Sequence, residues 1–122
     1  MANPAPGFAK HPEHTIALEP STMVIVQHGE LPVAESREAV LLSEDNYPLR
    51  AYLPPADITA TLVRTDRSTH CPFKGDATYF DVIAGDDTIE GGAWCYEAPF
   101  DEMAAIAGLV AFDDRFALTI AY

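Results

Sequence analysis

A chain of 122 residues, 48% hydrophobic and 21% charged, has the size of one ordinary domain and is too apolar to remain disordered. Seven Lys and Arg against 19 Asp and Glu give a formal charge of -12, which argues against sequence-independent nucleic-acid binding and against docking on an anionic membrane face. Cys71 and Cys95 are too few for a disulfide framework, and the longest charge-free apolar stretch, residues 103–112, is short of the roughly 20 residues of a spanning helix.

In chain order, residues 1–13 read as an irregular, loosely attached arm, because Pro4, Pro6, Pro12 and Gly7 interrupt any pattern. No basic segment followed by an apolar one opens the chain, so no signal peptide and a cytoplasmic, reducing setting are expected. Residues 14–122 read as a single β domain built from short runs. Strands are expected over 15–18, 23–27, 31–34, 39–43 and 50–53, with Pro32 pushing the third toward an edge or a bulge. Residues 44–48 are rich in turn formers, and Asp57 follows a double proline as the start of a turn or short cap.

Residues 59–65 alternate, with Leu62 and Arg64 on one face and Thr61 and Val63 on the other. Asp66 to Thr69 reads as a polar loop. A strand over 77–84 follows, with Phe80 and Val82 on one face, then the hairpin turn signal Gly85-Asp86-Asp87. An aromatic strand is expected over 93–97 and one short helix near residues 101–107, with Met103, Ile106 and Ala107 on one face and Gly108 closing it. The run 116–122 alternates Phe116, Leu118 and Ile120 against Ala117, Thr119 and Ala121, as a half-buried closing strand does. Many short strands without a βαβ rhythm indicate a mainly β fold, a sandwich or a barrel.

The string Ser68-Thr69-His70-Cys71-Pro72-Phe73-Lys74-Gly75 carries the most local constraint. Pro72 fixes its own φ and holds Cys71 extended, while Gly75 permits a backbone conformation closed to other residues. Lys74 is therefore presented on a rigid turn, as an anion anchor, as a base, or as the partner of one of the many carboxylates. Cys71 would be either a nucleophile favoured by nearby positive charge or a small buried hydrophobe. His70 is a poor base for it, because adjacent side chains on an extended chain point apart; His14 and His28 remain as alternatives. Cys71, Cys95 and His70 lack the paired spacing of a zinc site, so no metal and no cofactor are expected.

Trp94 and Tyr96 share a strand face, as do Arg50 and Tyr52. With Tyr47 and Tyr79 these aromatics would either wall a ligand pocket or fill a core. Neither nucleotide-loop signature, G-x-x-x-x-G-K-[ST] or G-x-G-x-x-G, is present.

Taken in order, Ala34-Glu35-Ser36, Tyr52-Leu53-Pro54, Asp57, Thr69 to Gly75, Ala77 with Tyr79, Ala93-Trp94-Cys95-Tyr96, Pro99, Ile106 with Gly108, and Ala111-Phe112 resemble the domain of unknown function 427 family. The specific part is Cys-Pro-x-Lys-Gly followed by Trp-x-Tyr. The resemblance implies a small, mainly β domain, an open barrel or folded-over antiparallel sheet of the kind called β-tent or Mss4-like. Other members of that architecture hold zinc through paired Cys-x-x-Cys knuckles, which this chain lacks. The family also carries a nucleotidyltransferase label, for which the chain shows neither a glycine-rich phosphate loop nor a paired-carboxylate metal motif.

These readings converge on a domain that binds a small polar or anionic metabolite, with Lys74 supplying charge, Trp94 and Tyr52 the walls and Tyr96 a hydroxyl, and with Tyr79, Arg50 and His70 alongside. Whether it catalyses a reaction stays open, Lys74 and Cys71 being the candidates. A protein–protein adaptor with a structural aromatic core and a thiol-dependent enzyme using Cys71 are the alternatives. A monomer or a homodimer is expected, since edge strands need cover.

Overall fold

The computed structural model describes residues 2–121; Met1, the first residue of the expected arm, and Tyr122, the last of the expected closing strand, lie outside the described residues. The strands are β1 (Ile16–Pro20), β2 (Met23–His28), β3 (Leu31–Ser36), β4 (Val40–Glu44), β5 (Arg50–Tyr52), β6 (Thr61–Cys71), β7 (Gly75–Ala84), β8 (Asp87–Cys95), β9 (Val110–Phe112) and β10 (Ala117–Ala121). They form three antiparallel sheets, ordered β1-β4-β5, β10-β2-β3 and β6-β7-β8-β9. The fold is mainly β and its sheets do not close into a barrel.

Two backbone bridges link the sheets. Leu53 and Val110 exchange N–H···O bonds of 2.8 Å, tying β5 to β9, and Thr59 N–H donates to Val33 O at 2.8 Å, tying β3 to the entry of β6. The apolar residues follow this arrangement. One cluster gathers Val24, Val26, Val33, Leu41, Leu53 and Val82; a second gathers Leu42, Tyr52, Ala77, Tyr96, Met103 and Ile106. Leu41 and Leu42 are neighbours on β4 yet belong to different clusters, so β4 is buried on both faces. That is why its sequence is a continuous apolar run rather than an alternating one.

Several sequence expectations need correction. The arm contains a short helix, α1 (Pro6–Lys10), begun by Pro6 at a position where a missing N–H costs nothing. It is docked: Gly7 N–H donates to Pro72 O at 2.9 Å, and Asn3 N–H and Ala5 N–H donate to the carboxylates of Asp101 and Glu102. Asp66 to Thr69 is not a loop but the middle of β6. Its pairing steps from Arg64 to Ser68 across a bulge in which Thr65 Oγ1 donates to Tyr79 O at 2.9 Å. The expected aromatic strand over 93–97 is no separate strand: residues 93–95 end β8, with Tyr96 and Glu97 beyond it, and β8 bends at Gly91 (φ 60), whose N–H donates to Asp81 Oδ1. The expected helix is a 3-10 segment, Asp101–Ile106, with Met103 and Ile106 buried and Ala107 exposed.

Other expectations hold. β3 is an edge strand, with its register shift opposite Pro32. The Gly85-Asp86 turn joins β7 to β8, Ala84 facing Asp87.

Candidate functional site

The sheet containing β4 and β5 leans against the sheet containing β6, β7 and β8, and a concavity of about 460 Å³ opens between them. That volume lies within the usual range of small-molecule sites. Its walls are built residue by residue. The β6–β7 hairpin closes at the Cys71–Gly75 pair, leaving Pro72, Phe73 and Lys74 as the turn. Gly75 has φ 119, and a Cβ there would sit 3.3 Å from Pro99 Cα, so the turn needs glycine. The turn is clamped from both sides: α1 holds Pro72 O, and Phe100 N–H donates to Lys74 O at 3.0 Å.

Lys74 enters the concavity as half of a buried ion pair. Its Nζ donates to Glu44 Oε1 at 2.5 Å, the two side chains being 12% and 7% exposed. His14 Nε2–H donates to Glu44 Oε2 at 2.8 Å, and the His14 ring stacks on Phe73 at 4.2 Å. One carboxylate thus joins an ammonium and an imidazole. The β1–β4 register explains the meeting: Glu44 pairs with Ile16, and His14 lies two residues before Ile16, on the same side.

The opposite wall is aromatic. Trp94 Nε1–H donates to the Tyr52 hydroxyl at 3.1 Å, and the Arg50 guanidinium lies 5.1 Å from the centre of the Trp94 ring. Arg50 also bonds the exposed Asp114 at 2.8 Å. Tyr79 sits beside Trp94 at 6.3 Å between ring centres, its hydroxyl sharing a hydrogen bond with Thr69 Oγ1. Burial pushes the Tyr52 phenol up to about 12 despite the indole donor and Arg50, and burial pushes Tyr96 up as well. Both phenols are therefore neutral hydrogen-bond donors at physiological pH.

A family model described as a domain of unknown function (DUF427) matches residues 17–120. The chain belongs to the DUF427 family. No curated protein matches it. In this DUF427 domain, Glu44, Lys74, Trp94 and Tyr96 fall inside the matched region, whereas His14 and α1 precede it.

Of the residues singled out in the sequence, Arg50, Tyr52, Cys71, Lys74, Tyr79, Trp94 and Tyr96 all line the concavity. His70 does not. It lies on the outer face of β6, 60% exposed, bonded to Asp76 at 2.7 Å, and its outward direction follows from strand alternation with the inward Cys71.

Sequence reasoning missed Glu44, which it placed in a turn, and weighed His14 solely as a base for Cys71. The Thr15 N–H bonded to the Asp45 carboxylate belongs to the same β1–β4 junction and had no sequence signature either. Cys71 and Cys95 are free thiols in different apolar clusters, and burial raises the Cys95 pKa. Among the described residues no group of three or more His, Cys, Asp or Glu side chains is arranged to hold a metal ion. No helix there is long and apolar enough to cross a membrane.

Proposed function

We propose that this DUF427 domain binds a small polar molecule in the concavity between the two sheets. The observation that carries this reading is the placement of a buried charged chain, Lys74–Glu44–His14, opposite the wall formed by Trp94, Tyr79 and Tyr96. Structural ion pairs are found in many folds, but this one lines an open concavity and its ammonium retains protons beyond the one given to Glu44. The adaptor reading is less favoured, because it has Lys74 remote from any concavity.

A metabolite screen by thermal shift tests the proposal on wild type and Lys74→Ala. A ligand that raises the wild-type midpoint and acts much less on the variant supports it. Stabilisation of both proteins to the same extent by every hit means that Lys74 is not the anchor.

Cys71 keeps the thiol reading in play because it lines the same concavity and is partly exposed. Alkylation of the folded protein near neutral pH tests it. Modification of Cys71 that ligand slows would support a reactive thiol at the site; modification that waits for unfolding would end that reading.

A further inference from the structure

The charge of the concavity opposes that of the molecule. Among the described residues its lining holds two of the seven basic side chains, Lys74 and Arg50, and one of the 19 acidic ones, Glu44. Both Glu44 oxygens already hold a donor, Lys74 at 2.5 Å and His14 at 2.8 Å. Asp114, the partner of Arg50, is 72% exposed and lies outside the lining, where water screens it.

The neutral groups lean the same way. Tyr52 accepts the indole N–H and has its own proton left to give. Tyr52 and Tyr96 are protonated phenols at neutral pH and both line the concavity, so each offers a donor. With the ammonium protons that Lys74 does not give to Glu44, these hydroxyls can converge on one acceptor group. The apolar part of the lining is mostly ring: Tyr47, Phe73, Tyr79 and Trp94 join those two phenols. Rings of this kind favour a flat unsaturated partner that stacks or meets them edge-on.

Resting on the small-molecule reading above, we infer that the ligand is a flat unsaturated carboxylic acid, its carboxylate held by Lys74 Nζ and the tyrosine hydroxyls and its ring against Trp94 and Tyr79.

Trp94 is the sole tryptophan, so its indole N–H resonance reports this wall without ambiguity. Four compounds are titrated against it: benzoate, benzamide, benzylammonium and cyclohexanecarboxylate. Benzoate is expected to move the resonance to saturation, with each of the other three about tenfold weaker or worse. Because Lys74→Met alone leaves Glu44 buried without its cation, the charge-balanced Lys74→Met/Glu44→Gln pair is used alongside. It is expected to keep a dispersed spectrum and lose the preference for benzoate over benzamide.

Benzylammonium or benzamide binding as tightly as benzoate would overturn the acidic assignment while leaving the concavity a ligand site. Equal binding of cyclohexanecarboxylate would overturn the flat-ring assignment. If none of the four moves the indole while the metabolite screen yields a Lys74-dependent ligand, the class is wrong and the site stands. If both come up empty, the inference and the site fall together.

Discussion

Glu44 is bound by two partners and nearly excluded from water, so the loss of one member strands the others. Glu44→Gln leaves the Lys74 ammonium buried without a counter-charge, and an uncompensated buried charge is among the costlier single defects. The variant should lose about 2–3 kcal/mol of stability by urea unfolding, and Lys74→Met/Glu44→Gln should recover most of it. Tyr52 makes a second prediction at this scale. Its phenol is raised from 10.0 to about 12, so it contributes stability that is fully present below pH 10 and is lost as pH rises from there to about 12. The unfolded chain gives up that proton first. An alkaline titration followed by tyrosinate absorbance should show this phenol ionising above the ordinary tyrosine range or with unfolding, and Tyr52→Phe should flatten that part of the pH–stability curve. The contrast between Lys74 and Glu44 shows what the sequence holds at this scale. Lys74 is legible because its constraint is local, from Pro72 and Gly75. Glu44 is not, because its role depends on a strand pairing with residues 28 positions earlier.

The β6–β7 hairpin and α1 act as one unit, and glycine decides how closely they approach. A Cβ on Gly7 would lie 2.8 Å from the Phe73 ring and 2.9 Å from Pro72 O, so Gly7→Ala should lift the arm from the turn. Hydrogen exchange at residue 7 and in the 72–74 turn should quicken, with little change in β2 or β10. Gly75→Ala combines a positive φ with the contact against Pro99 and should cost about 1–3 kcal/mol by denaturant unfolding. The 3-10 segment shows how an element can be located from sequence and mistyped. Met103 and Ile106 are three apart, which suits both a 3.0-residue and a 3.6-residue period. Ala107 decides between them by facing water, and Met103 itself (φ -109, ψ 19) breaks the helical geometry. β6 was misread for a related reason. Its bulge region is polar because it faces solvent while still pairing with β7, and polarity in an edge strand resembles polarity in a loop.

At the scale of the molecule, a formal charge of -12 is spread over a surface on which basic residues are few. Self-repulsion of that size is screened by salt, so the melting midpoint should rise by about a few degrees between 0.01 M and 0.2 M sodium chloride. A fall would mean that pairs such as Arg64–Glu97, 2.7 Å apart at the surface, outweigh the repulsion. The fold class was legible from the many short alternating runs. The sheet order was not, because β2 lies between β3 and β10, strands whose sequence positions differ by more than 80 residues. That arrangement bears on biosynthesis. During translation β3 is available to β2 long before β10, and the second edge of β2 stays unpaired until residues 117–121 clear the ribosomal exit tunnel. The nascent polypeptide therefore carries an open apolar strand edge from the emergence of β3 until β10 follows, an interval in which chaperone protection would matter.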